Sequence, residues 1–156
     1  MFGPYAAAHR QHRHDGHCAL IHGHNWSFEI TFAADSLDEN QFVIDFGKLK
    51  WLRAYLEELF DHTLLINTDD PALPYLRGVL DNLARAECSI TLANIVEVPN
   101  CGAEGLAEYL LSAVNAHLVH PSYVGGPAAK EYGDRNVRVA SVTVYEDEKN
   151  KATYAN

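Results

Sequence analysis

The stretch "HGHNWSFEITFAAD", residues 22–35, constrains this chain more than any other part of it. From His24 onward Trp26, Phe28, Ile30 and Phe32 fall on one side, and Asn25, Ser27, Glu29 and Thr31 on the other. Alternation of this kind is a β-strand with one buried face. The same period of two reaches back to the start of the stretch, so His22 and His24 share a face. Gly23 between them lets another backbone or a ligand come close.

A third imidazole is within reach. His9, in "AAAHR", lies at the end of the preceding extended segment, where a cross-strand neighbour would stand beside the pair. Three neutral imidazoles with one open position are the ligand set of a catalytic zinc, whereas structural sites are closed by four ligands and often use cysteines. With no CxxC in the chain, the catalytic form is the expectation. The bland alternative, a solvated polar loop, fits His12, His14 and His17 of "HRQHRHDGH".

Cys18 precedes His22 by four residues, close enough to rim the same pocket, where a cation and imidazoles favour the thiolate. Cys88 and Cys101 read as inert, buried cysteines. "FDHTLLIN" puts Asp61 beside His62, a pair able to orient an imidazole for proton transfer provided the chain turns there. Glu146 ends the apolar strand "VRVASVTVYE" and can accept paired N–H groups from a guanidine-like ring edge; by itself it would read as a surface charge.

The remaining elements follow from spacing. "NQFVIDFG" reads as a strand pairing back on the first across "DSLDEN". Leu49, Leu52, Leu56, Leu59 and Phe60 recur at helical steps, as do Leu106, Leu110, Val114 and Leu118, predicting two amphipathic helices. "YLRGVLDNLARAE" suits a short helix, "ITLANIVEVP" a strand, and "HPSYVGGPAAKEYGDRN" a long loop. The order β-β-α-β-α-β, with an extra strand allowed at the start, suits an antiparallel sheet with helices on one face.

Composition narrows the function classes. The 156 residues suit one domain, 1–156. A net charge of -9 disfavours a nucleic-acid surface. Seven of the nine histidines lie in the first 62 residues, which favours metal or proton chemistry there. No apolar run approaches membrane-spanning length, and three cysteines without a basic or apolar leader fit a reducing cytoplasm.

In order and spacing, "AAAHR", "CALIHGHNW", "VIDFGKLK", "FDHTLLIN", "AEGLAEYL" and "VTVYE" resemble the 6-pyruvoyl-tetrahydropterin synthase and 6-carboxytetrahydropterin synthase family, over about residues 5–147. The resemblance implies an α+β tunnelling fold: a four-stranded antiparallel sheet with two helices on one face, in trimers that stack into hexamers. It implies Zn2+ on His9, His22 and His24, catalytic roles for Cys18, Asp61, His62 and Glu146, and substrate binding by Glu146 and Glu104. Three residues separate Cys18 from His22, which resembles the bacterial carboxy-forming branch. The implied reaction converts 7,8-dihydroneopterin triphosphate to 6-carboxy-5,6,7,8-tetrahydropterin, with loss of acetaldehyde and triphosphate, on the route to queuosine. Arg10, Arg13 and Lys48 are candidate triphosphate cations, and a neighbouring subunit is another source.

The chain departs from the family where the second helix opens. A Pro-Thr-x-Glu-Asn pattern is usual there, whereas this chain reads "CGAEG", with Gly102 and Gly105 in place of threonine and asparagine. Glu104 is kept; the helix cap and one pterin contact are left open. Segments 70–90 and 119–136 read as surface insertions. The alternatives are 6-pyruvoyl formation by triphosphate elimination and a zinc- or pterin-binding homologue without turnover.

Overall fold

A computed structural model describes residues 1–86 and 89–156. In chain order the elements are β1 (Phe2–His9), β2 (His22–Ala33), α1 (Lys50–Phe60), β3 (Thr63–Asn67), α2 (Leu73–Arg85), β4 (Ile95–Val98), α3 (Ala103–Leu118), α4 (Pro121–Val124), α5 (Gly126–Asp134), β5 (Arg138–Tyr145) and β6 (Lys151–Ala155). The strands form one sheet in the order β4-β3-β1-β2-β5-β6.

The alternating strand is β2, and its apolar side is deeply buried, with Trp26 and Phe28 fully covered. Burying side chains of this size contributes on the order of 1.5–3 kcal/mol each. The helical stripes of α1 and α3 meet it: Leu52, Leu56 and Phe60 from the first, and Leu106, Leu110, Val114 and Leu118 from the second, lie in one cluster with Trp26 and Phe28.

The sheet is not four-stranded and antiparallel. Among the described residues it has six strands, and both β1–β3 and β3–β4 are parallel. Parallel neighbours need a crossover connection, which α1 and α2 supply. All five residues of β3 are buried because helices cover it on both sides. Leu65 faces α1 and α3, while Leu64 and Ile66 pack against Leu73 of α2 on the opposite side. The expectation of helices on one face therefore holds for α1 and α3 and fails for α2.

"NQFVIDFG" is not a strand either. Both edges of β2 are already taken, by β1 and by β5, leaving that segment no ladder to join. It forms turns instead: Asp38 Oδ1 accepts from the backbone N–H of Asn40 and of Phe42, each at 2.8 Å. The Arg135 guanidinium then ties the loop down by donating to the carbonyls of Ser36, Phe42 and Val43. The expected long loop after α3 contains α5, which buries Ala129 and Tyr132. Sequence spacing gave no sign of β6, a mostly exposed edge strand pairing with β5. Cys88 lies outside the described residues, and Cys101 is fully buried.

Candidate active site

Strand pairing builds the histidine centre. His9, the last residue of β1, stands directly opposite His22, the first of β2, and His24 follows two residues later on the same face. The three rings have ligand nitrogens all within 4.8 Å of one another. His9 is 1% exposed, sealed by the Trp26 ring at 5.0 Å, whose indole N–H donates to the Ala7 carbonyl.

Hydrogen bonds set which nitrogens face inward. His9 Nδ1 lies 2.8 Å from the Cys101 carbonyl and His22 Nδ1 2.7 Å from that of Leu20, so both Nδ1 atoms carry the proton and donate. The two Nε2 lone pairs then face each other at 3.1 Å, and buried His24 Nε2 has no hydrogen-bond partner. Lone pairs so close repel unless a cation lies between them. A tetrahedral zinc with bonds of ~2.0–2.1 Å would separate its nitrogens by roughly 3.3 Å, so the three side chains fit a divalent metal. Burial, with smaller contributions from His22 and His24, pushes His9 down to about 4 against the pull of the Cys101 carbonyl. The ring is therefore neutral and ready to ligate near pH 7.

Glu146 reaches the centre from the end of β5, with Oε1 3.4 Å from His9 Nε2 and 3.5 Å from His24 Nε2. The turn after it is stiffened by Asp147, whose Oδ1 accepts from the N–H groups of Lys149 and Asn150, both at 2.7 Å. These bonds hold the Asp147 carboxyl below its usual range. Beside the centre lies a cleft of ≈ 400 Å³ lined by Cys18, Glu104 and Glu146, together with Gln11, Lys149 and Lys151. A larger groove of ≈ 620 Å³ lies elsewhere, along Ile30, Phe32 and the turn residues 41–46. Asp45 is the one charged side chain lining it, so size does not mark the chemistry here.

Asp61 and His62 are not brought to this cleft. The turn that their pairing required is present: His62 has φ +57°, and its Nδ1 is 3.0 Å from Asp61 Oδ2. Its N–H donates to the Ala6 carbonyl, three residues before His9 and hence ~10 Å away along β1, and its side chain is 83% exposed.

The candidate cations are also placed differently. Arg10 pairs with buried Asp70, Arg13 with Asp69, and Lys48 sits by Glu39 and Glu131 away from the cleft. Lys149 and Lys151 line it instead, on a hairpin the sequence spacing did not announce. Two supporting groups were equally invisible. Asn67 accepts the Cys101 N–H at 2.7 Å and so fixes the residue whose carbonyl orients His9; a backbone acceptor leaves no mark in a sequence. Asn100 Oδ1 accepts the Gly102 N–H at 2.9 Å, an Asx-type turn that leads the chain into α3, whose first turn has no side-chain cap. A Cβ at Gly105 would lie 2.3 Å from Asn100 Cβ, so the second glycine is what makes room for the Asn100 side chain in that turn.

A six-stranded mixed sheet that gathers three imidazoles at one end of two antiparallel strands, beside a cleft bearing a thiol and two carboxylates, defines an α+β fold with a histidine cluster able to hold a metal ion. Comparison with known proteins gives the family. The family model described as 6-pyruvoyl tetrahydropterin synthase matches residues 3–156, and the chain belongs to that family. A 6-carboxy-5,6,7,8-tetrahydropterin synthase of Aquifex aeolicus is 29% identical over 139 residues, 88% of this chain and 75% of the relative. One of the same name from Rickettsia conorii is 40% identical over 67 residues; that match covers 42% of this chain and about half (49%) of the relative. Among solved structures, an uncharacterized protein from Wolinella succinogenes superposes with TM-score 0.75 at 21% identity, covering 99% of this chain and 94% of the other. A Plasmodium vivax 6-pyruvoyltetrahydropterin synthase does so with TM-score 0.59 at 19% identity, covering 97% and 90%. These two likenesses concern the fold. Among the described residues no helix is long and apolar enough to cross a membrane.

Proposed function

We propose that this chain is a zinc-dependent 6-carboxy-5,6,7,8-tetrahydropterin synthase acting on 7,8-dihydroneopterin triphosphate. The observation that carries this reading is the cleft in which Cys18, Glu104 and Glu146 meet against the three-histidine centre. The names of the Aquifex and Rickettsia relatives support the choice of product.

Each side chain has a task that its chemistry suits. Glu104 and Glu146 are acceptors for the N–H groups of the pterin's guanidine-like edge. Cys18, half-buried at the rim, takes and returns protons on the substrate side chain. His9, His22 and His24 would hold Zn2+, which supplies positive charge that lowers the cost of negative charge on the substrate's side-chain oxygens. Lys149 and Lys151 meet the triphosphate. Asp61 and His62 complete the proton relay in the cleft of a neighbouring copy, since an exposed pair ~10 Å from its own centre has no reach into it. The assembly expected is a homohexamer, a dimer of trimers, in the cytoplasm, on the route to queuosine and other deazapurines.

The test is mass spectrometry of the products from zinc-loaded protein and 7,8-dihydroneopterin triphosphate, with Cys18→Ala alongside. A 6-carboxytetrahydropterin mass that disappears in Cys18→Ala is the expected result. A 6-pyruvoyl mass would transfer the protein to triphosphate elimination, and unchanged substrate would make it a binding homologue.

A further inference from the structure

Gly102 is not required by its backbone. Its φ of −81° and ψ of 161° are open to any residue, yet a Cβ there would lie 2.3 Å from Gln11 Nε2 and 3.5 Å from Gln11 Cδ. The space a side chain would fill is occupied by the carboxamide of Gln11. Two backbone hydrogen bonds fix where Gln11 stands: its N–H donates to the Cys18 carbonyl at 2.8 Å, and its carbonyl accepts the His14 N–H at 2.9 Å. The carboxamide therefore lies in the cleft wall with Cys18, Glu104 and Glu146, seated on Gly102, the first glycine of the "CGAEG" departure.

We infer that Gln11, seated on Gly102, is a ligand-binding residue of this cleft that reads the carbonyl of the bound ring. The inference rests on the pterin reading of the site. Carboxylates at neutral pH accept hydrogen bonds and donate none, so Glu104 and Glu146 match the N–H groups of a pterin but not its ring oxygen. A carboxamide donates, and Gln11 Nε2 is a neutral donor held among those two acceptors. Gly102 and Gln11 act as a unit: with a side chain at position 102 the amide has no seat.

Titration calorimetry of the full chain with 7,8-dihydroneopterin tests this, using Gln11→Ala, Gly102→Ala and the double variant. Gly102→Ala keeps the glutamine but displaces its amide, which is the far end of a flexible side chain, so the fold should survive. Each single variant is expected to bind about tenfold more weakly than the parent, the usual effect of one lost hydrogen bond. The double variant should also be about tenfold weaker and not a hundredfold, because both changes remove the same contact. Should Gln11→Ala fail to fold, Gln11→Met keeps the length without the donor and should show the same loss.

Binding by Gln11→Ala within twofold of the parent would overturn the inference. A double variant showing the product of the two single losses would also overturn it, since the Gly102→Ala methyl would then be obstructing the ligand by itself. A parent that does not bind 7,8-dihydroneopterin would overturn the pterin reading itself, and this inference with it. That outcome is visible before any variant is compared.

Discussion

His9 ends β1 and His62 is hydrogen-bonded to the same strand at Ala6, yet the two histidines sit in opposite environments. The His9 side chain is 2% exposed, bonded through Nδ1 to a backbone carbonyl and held against two further imidazoles. The His62 side chain is 83% exposed on a left-handed turn, with the adjacent Asp61 as its partner. A metal ligand needs a rigid position, and antiparallel register supplies it within one chain. A proton-moving imidazole needs a substrate in front of it, and on the reading proposed above a neighbouring copy would present that substrate to His62. The three imidazoles come together within one chain, whereas the Asp61–His62 pair stands apart from them on the surface.

The largest effect should come from breaking the three-imidazole side. His24→Ala removes one of three imidazoles and is expected to lower bound zinc from about one ion per chain to a tenth or less, read by elemental analysis after dialysis. Retention of stoichiometric zinc would remove the histidine centre as the metal site. On the exposed side, His62→Ala should leave zinc content unchanged and reduce turnover by roughly 10²–10⁴-fold. Mixing His62→Ala with Cys18→Ala chains under reassembly should return part of the activity, because some clefts then combine an intact Cys18 with an intact His62 from a neighbour. Two inactive variants that stay inactive when mixed would mean that the pair serves no neighbouring cleft.

The smallest effect is a pH dependence that belongs to His9 alone. With the folded ring held at about 4 and an unfolded value near 6.5, the unfolded chain binds a proton first as pH falls. The contribution of His9 to stability is therefore complete above pH 6.5 and is lost progressively as pH falls towards 4. Metal-free protein should show a falling Tm between pH 6.5 and 5, and His9→Gln should flatten that slope. An equal slope in both proteins would place the titrating group elsewhere.

Much of this site was legible because period and spacing carry it. Residues i and i+2 of a strand share a face whatever the strand pairs with, so His22 and His24 converge in any fold that keeps β2 a strand. The stripes of α1 and α3 are local in the same sense, and both helices form where the leucines recur. The same logic failed at "NQFVIDFG", whose apolar residues suit a ladder that β1 and β5 had already filled. It failed again at "TLLIN", where burial on both faces erases the alternation that marks a one-sided strand.

The order of residues by itself determined which groups are the candidates for the chemistry: three imidazoles, a thiol, two carboxylates and an Asp–His pair. Tertiary structure decided which of them meet. The His9–His22 register, the Cys101 carbonyl held by Asn67 and the Gln11 amide over Gly102 all join residues far apart in the chain. Such contacts depend on which strand edge is free, which backbone groups still lack partners and which small residue leaves space. Those are properties of the packed whole, and no local pattern records them.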